Sequence, residues 1–179
     1  MKADAIEQAI LTHARSLRRF AVSLAGPDDS DDLFQATCET AFRKRGGLRR
    51  ASRARAWLMT IMYRRFVTER RRAARRGEVS ADSAPERAIG PSSAVKLDAV
   101  RVVDALGALP EDQRAAMVLV CVEGFSSEDA AHMLSVKPGS VRARVARGRA
   151  RLKDVIGDAP LDGVSADQTS NMKASSHGN

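Results

Sequence analysis

Cysteine and histidine are scarce in this chain of 179 residues. Cys38 and Cys121 lie far apart and match no ligand spacing, and the three His stand at 13, 132 and 177, so no metal site assembles from the sequence. Small buried hydrophobes are the expectation for both cysteines. Long apolar runs are missing too. The N-terminal stretch AIEQAILTHARSLRRFAVSLAG is amphipathic, which fits neither a signal peptide nor a membrane span. A cytoplasmic protein without membrane insertion is expected. No nucleophile elbow, metal pair or phosphate loop occurs, so no enzyme chemistry is named and no cofactor is implied. Alternation at the strand period is also missing, which predicts an all-α chain.

Positive charge, by contrast, is abundant and uneven. The formal net charge is +8, which favours an acidic partner such as nucleic acid, RNA polymerase or an anionic membrane. Between Arg43 and Arg76 stand fourteen Arg or Lys against the single Glu69, and between Lys137 and Lys153 seven against none. Two separate patches carry the excess.

Apolar residues at helical spacing divide the chain. Ile6, Ile10, Leu17, Phe20 and Leu24 predict a first helix, which GPDDSDD interrupts before a second over DDLFQATCETAFRK. The long stretch RARAWLMTIMYRRFVTERRRAARR presents Trp57, Leu58, Ile61, Met62 and Phe66 on one side. Residues 1–76 are expected to form one helical domain. From Gly77 the composition turns to Ser, Ala, Pro and Gly, so 77–94 reads as a flexible linker that leaves the two halves without a fixed orientation. Periodicity resumes at Val95, and 95–156 reads as a second domain. Residues 157–179 read as a disordered tail.

Within the second domain, Pro110 suits a first helical position and the helix that follows ends at Gly124. Ser126 with Asp129 three residues on is a capping-box pattern, and a turn at Ser135 to Lys137 leads into VKPGSVRARVARGRARLK. There Val141, Val145, Gly148 and Leu152 share one narrow stripe. Ser140, Ala143, Arg144, Arg147 and Arg151 are expected on the opposite side, with Arg142 and Arg149 flanking the seam. Two short helices, a tight turn and an outward basic face predict a helix-turn-helix whose second helix enters the DNA major groove. Ser140, Ala143, Arg144 and Arg147 would approach bases, Arg142, Arg149, Arg151 and Lys153 would mainly meet phosphates, and Lys137 is a further DNA-binding candidate.

The stretch from ALGALPEDQR through EGFSSEDAA to GSVRARVARGRARL resembles the C-terminal promoter-binding domain of extracytoplasmic-function (ECF) sigma factors, small members of the sigma-70 family. The first half is similar to their other domain through DDLFQATCETAFR and RARAWLMTIMYRRFVTERRR. The resemblance implies two small all-α domains, sigma region 2 and sigma region 4, with core RNA polymerase, promoter DNA and an anti-sigma factor as partners. It assigns Asp32, Leu33 and Gln35 to polymerase, and the loop from Gly46 to Ser52 with the following helix to the minus-ten strand. Single-strand capture needs a basic groove with flat side chains, for which Arg49, Arg50, Arg53, Trp57, Tyr63, Arg64, Arg65 and Thr68 are candidates, and Phe66 adds a third flat ring. Arg64 and Thr68 stand where the family usually carries Asn and Asp, and Ser135 replaces the usual turn Gly. Two other readings remain open: a sigma-like decoy that binds an anti-sigma factor, or a one-component helix-turn-helix regulator.

Overall fold

A computed structural model describes residues 2–77 and 106–156. Most of the expected linker, the periodicity expected from Val95 and the expected tail fall outside the described residues.

Helix α1 spans Lys2–Arg43 but breaks at Gly26, whose φ of 87° and ψ of 172° are not helical. Glycine reaches that backbone without a Cβ clash, and Pro27 brings no N–H for a bond back into the preceding turn. The expected interruption is therefore a break between two stacked helical segments. Two 3₁₀ turns, Arg45–Gly47 and Ala51–Arg53, then lead into α2, Ala54–Arg75. Leu17, Phe20, Phe34, Ala41, Leu58 and Met62 are buried where α1 and α2 pack together. Leu33 belongs to this core as well.

In the described part of the second half, α3, Glu111–Met117, runs directly into a π turn, Val118–Val122. Helix α4 covers Ser127–Leu134 and α5 covers Pro138–Ile156. No strand occurs among the described residues. Leu109, Leu119, Met133, Leu134, Val141 and Leu152 form the core of this half. The cysteines are half-buried rather than fully buried, because each lies at the edge of its helix's apolar stripe.

In the structure the halves pack together, with α2 against α4 and α1 against α3, and their buried residues join in one apolar cluster. The expectation of an unfixed orientation rests on the linker, most of which lies outside the described residues. Linker composition speaks only for the linker, whereas orientation here is set by surfaces far from it in sequence.

Candidate nucleic-acid and polymerase interface

The helix-turn-helix is built from local rules. Ser126 caps α4, its Oγ accepting from the Asp129 amide at 3.0 Å. Ser135 ends α4 in the left-handed region with φ 56°. The Val136 amide closes that end by donating to the Ala131 carbonyl at 3.0 Å, the pattern of a Schellman cap. Serine therefore occupies a backbone that favours glycine, at a local cost of about 1 kcal/mol. Pro138 opens α5, where its fixed φ is helical and its missing N–H is no loss.

Val141, Val145 and Leu152 are buried along the expected seam. Gly148 is there for space: a Cβ would stand 2.7 Å from Met117 Cγ and 3.6 Å from Leu109 Cδ1. Lys137, Ser140, Arg142, Arg147, Arg149 and Arg151 are exposed, and Ala143 is half-exposed. Arg144 is not on the opposite side. Three residues after Val141 and four before Gly148, it lies beside the seam, 19% exposed, with Nε donating to Asp112 Oδ2 at 3.0 Å. Arg142 pairs with Glu128 at 3.2 Å in solvent, and Arg149 Nη2 approaches Cys121 Sγ at 3.5 Å.

In the first half the candidate minus-ten residues divide. Arg49, Arg50, Arg53, Trp57 and Arg64 line one cavity of about 510 Å³. Trp57 is half-buried beside Gly47, at which an added Cβ would lie 3.4 Å from the indole Nε1. The far wall carries Asp129 and His132 of α4, so the helix-turn-helix roofs this basic face. Tyr63 and Phe66 do not join it. Phe66 is buried in the core. Burial pushes the Tyr63 hydroxyl up, Asp112 and Glu111 add smaller effects in the same direction, and Arg144 opposes them, all three from the second half. Arg65 is half-buried, 3.8 Å from Glu69, and exposed Thr68 spends its hydroxyl on the Arg64 carbonyl at 2.8 Å.

Of the expected polymerase residues, Asp32 and Gln35 are exposed on α1. Leu33 is 9% exposed and part of the core. It points inward because Leu33, Thr37 and Ala41 share one buried stripe.

Two charged residues important to this arrangement were not singled out in the sequence. Arg114 is 3% exposed, and its guanidinium donates to the Gly107 carbonyl at 2.8 Å and to Leu24 of α1 at 3.5 Å, near the break that frees helix-end carbonyls. Glu123 has a fully buried side chain. It accepts from Ser16 at 2.6 Å and from Arg19 at 2.9 and 3.1 Å, all on α1, and from Arg55 of α2. Burial pushes its carboxyl up, but the hydrogen bonds from Ser16, Arg55 and Arg19 outweigh that and hold it below the usual carboxylate range. The only signal in the sequence is a lone Glu closing an apolar run, which names no partner.

Comparison with known proteins agrees with this geometry. Sigma-70 region 2 matches residues 9–76 and sigma-70 region 4 matches residues 99–152. The chain is 36% identical over 157 residues to the ECF RNA polymerase sigma factor EcfG of Rhodopseudomonas palustris, covering 86% of each. It is 34% identical to SigM of Mycobacterium tuberculosis, over 86% of this chain and 78% of that one. Among solved structures it is similar to the sigma factor RpoE of Bartonella quintana in complex with the anti-sigma factor NepR, with a TM-score of 0.73 and 33% identity over 86% and 98% of the chains. CnrH in complex with the cytosolic domain of CnrY gives a TM-score of 0.61 at 27% identity, over 86% of this chain and 89% of that one. The chain belongs to the sigma-70 family, as an RNA polymerase sigma factor of the ECF type.

Proposed function

We propose that this sigma factor divides promoter recognition between its two basic faces, each with residue roles of its own. The observation that carries this is α5, docked through Val141, Val145 and Leu152 while Ser140, Arg147 and Arg149 face outward. Ser140, Ala143 and Arg147 read bases of the minus-thirty-five element, and Lys137, Arg142, Arg149 and Arg151 bind phosphates. Arg144, oriented by Asp112, reaches DNA only from the edge of that face. Arg49, Arg50, Arg53, Trp57 and Arg64 hold the minus-ten strand, with Arg65 and Thr68 at its margin. Asp32 and Gln35 bind core RNA polymerase. Domain bounds of 1–76, a 77–94 linker, 95–156 and a 157–179 tail follow from this division.

The two elements lie about 25 base pairs apart by their names, or ~85 Å at 3.4 Å per base pair. A packed unit of this size is about 36 Å across by the usual scaling. The packed form therefore cannot touch both elements, and the halves separate when promoter is bound. The protein has no catalytic role of its own and acts in the cytoplasm. An anti-sigma factor is its expected restraint, as the relatives bound to NepR and CnrY support.

In vitro transcription with purified core polymerase, this protein and a promoter library tests the reading. Promoter-selective initiation is expected, weakened by Asp32→Arg through lost polymerase binding. Polymerase binding without any selective initiation would favour a decoy. DNA binding without polymerase association would favour a one-component regulator.

A further inference from the structure

The middle of α5 turns outward at a point where its long side chains are drawn aside. Ala146 is exposed and Ala143 half-exposed, and the helical period sets both away from the buried Val141, Gly148 and Leu152. Arg142, four residues before Ala146, pairs with Glu128 of α4 at 3.2 Å, and Arg149, three residues after it, reaches toward Cys121 of the π turn at 3.5 Å. On the other flank Arg144 is held by Asp112 of α3 at 3.0 Å. Arg147 stands exposed one turn beyond Ala143.

The charges of this surface therefore lie at its flanks, and its centre is two methyl groups. Such a helix sinks deep into a major groove, with the flanking guanidinium groups at the phosphate walls and the centre against the base edges. An alanine methyl offers no hydrogen bond there. The group on the groove floor that matches it is the 5-methyl of thymine.

We propose that Ala146, with Ala143 one turn before it, is a specificity-determining residue that selects thymine in the minus-thirty-five element through the 5-methyl group of the base. This rests on the promoter reading above and adds the base chemistry to it. Along the helix axis the two alanines are about 4.5 Å apart at 1.5 Å per residue, against about 3.4 Å per base pair, so thymines at neighbouring base pairs are both within reach. Cytosine at the same place sets an N4 amine against the methyl without a partner, so the wrong base is penalised as well as the right one favoured.

The test starts from duplexes randomised across the minus-thirty-five element and selected on the full chain bound to core polymerase. Each thymine of the selected sequence is then replaced singly by deoxyuridine, which removes the methyl and keeps the base pair. At the thymine facing Ala146, uracil should weaken binding about fourfold, the worth of one buried methyl group. That penalty should vanish in Ala146→Gly, while a second one, at the thymine facing Ala143, remains. Each protein is compared with itself on thymine and uracil, so the cost of glycine to the helix cancels. A selected element without thymine, full-strength binding to every uracil duplex, or an unchanged penalty in Ala146→Gly overturns the proposal. Selection of no preferred sequence overturns the promoter reading together with it, whereas a preferred sequence bound without regard to the methyl overturns this proposal alone.

Discussion

Arg55 of α2 grips Glu123 from two directions, donating to its carboxylate and, at 2.7 Å, to its backbone carbonyl, while the guanidinium lies 4.6 Å over the Phe125 ring. One side chain from the first half thus fixes the end of the π turn in the second. A buried carboxylate is expensive without partners, and here every strong partner comes from the other half. The packing of the halves and the charge state of Glu123 are therefore coupled.

Removing that carboxylate should loosen the packing. Glu123→Ala is expected to weaken closure by about 2 kcal/mol, toward the low end for a buried charge network because Arg19 is half-exposed and rehydrates. Spin labels on cysteines introduced at exposed Gln8 and Ala150, with the native cysteines replaced by serine, should show one narrow distance in the otherwise unchanged chain and a broadened one in the variant. An unchanged distribution would remove Glu123 as the clasp.

Acid should act on the same contact in two steps. Burial first, and then the charge of Arg55, hold the His13 imidazole below its usual value, and Glu123 is also held low. For both groups the folded form binds protons less readily than the unfolded form, so their stabilisation is complete above the unfolded values and declines as pH falls. The His13 contribution should start to fade below about pH 6.5 and that of Glu123 below about pH 4.3. Denaturant titrations across this range should show the lower step missing in Glu123→Gln and the upper one missing in His13→Asn.

Arg147 and Arg149 should differ in kind. Arg147→Ala is expected to relax preference at one base pair by about 1–3 kcal/mol, while Arg149→Ala weakens all sequences alike and lowers the salt dependence. Binding of the full chain with core polymerase to a panel of minus-thirty-five variants checks this. Equal losses of specificity would mean that α5 is rotated on the DNA from the orientation proposed.

Two small residues of the helix-turn-helix should respond in opposite ways. Ser135→Gly relieves a left-handed serine and should raise stability by about 0.5–1 kcal/mol. Gly148→Ala gains about 1 kcal/mol of helix propensity but forces a contact with Met117, and overpacking of about 1–3 kcal/mol should leave a net loss. Adding Met117→Ala should remove that clash, a non-additivity that thermal melts of the single and double variants would show.

The sequence by itself determined the helices, the break at Gly26 and Pro27, the cap at Ser126 and the seam of Val141, Val145, Gly148 and Leu152. All of these follow from neighbours within a few positions, where backbone conformation and helical period fix which side chains share a face. Only the tertiary structure decided where Arg144, Tyr63, Arg114 and Glu123 go. Arg144 and Tyr63 lie on the borders of their stripes, and a period does not say whether a border residue meets solvent or another helix. Arg114 and Glu123 are buried charges at the two ends of an apolar run, held there by α1 and α2 partners 68 to 107 residues away in sequence. The π turn adds to this, since the Glu123 amide bonds five residues back to Val118 at 2.9 Å. That one added residue in the turn shifts the helical phase that a 3.6-residue period would assign, and it carries Glu123 into the contact between the halves.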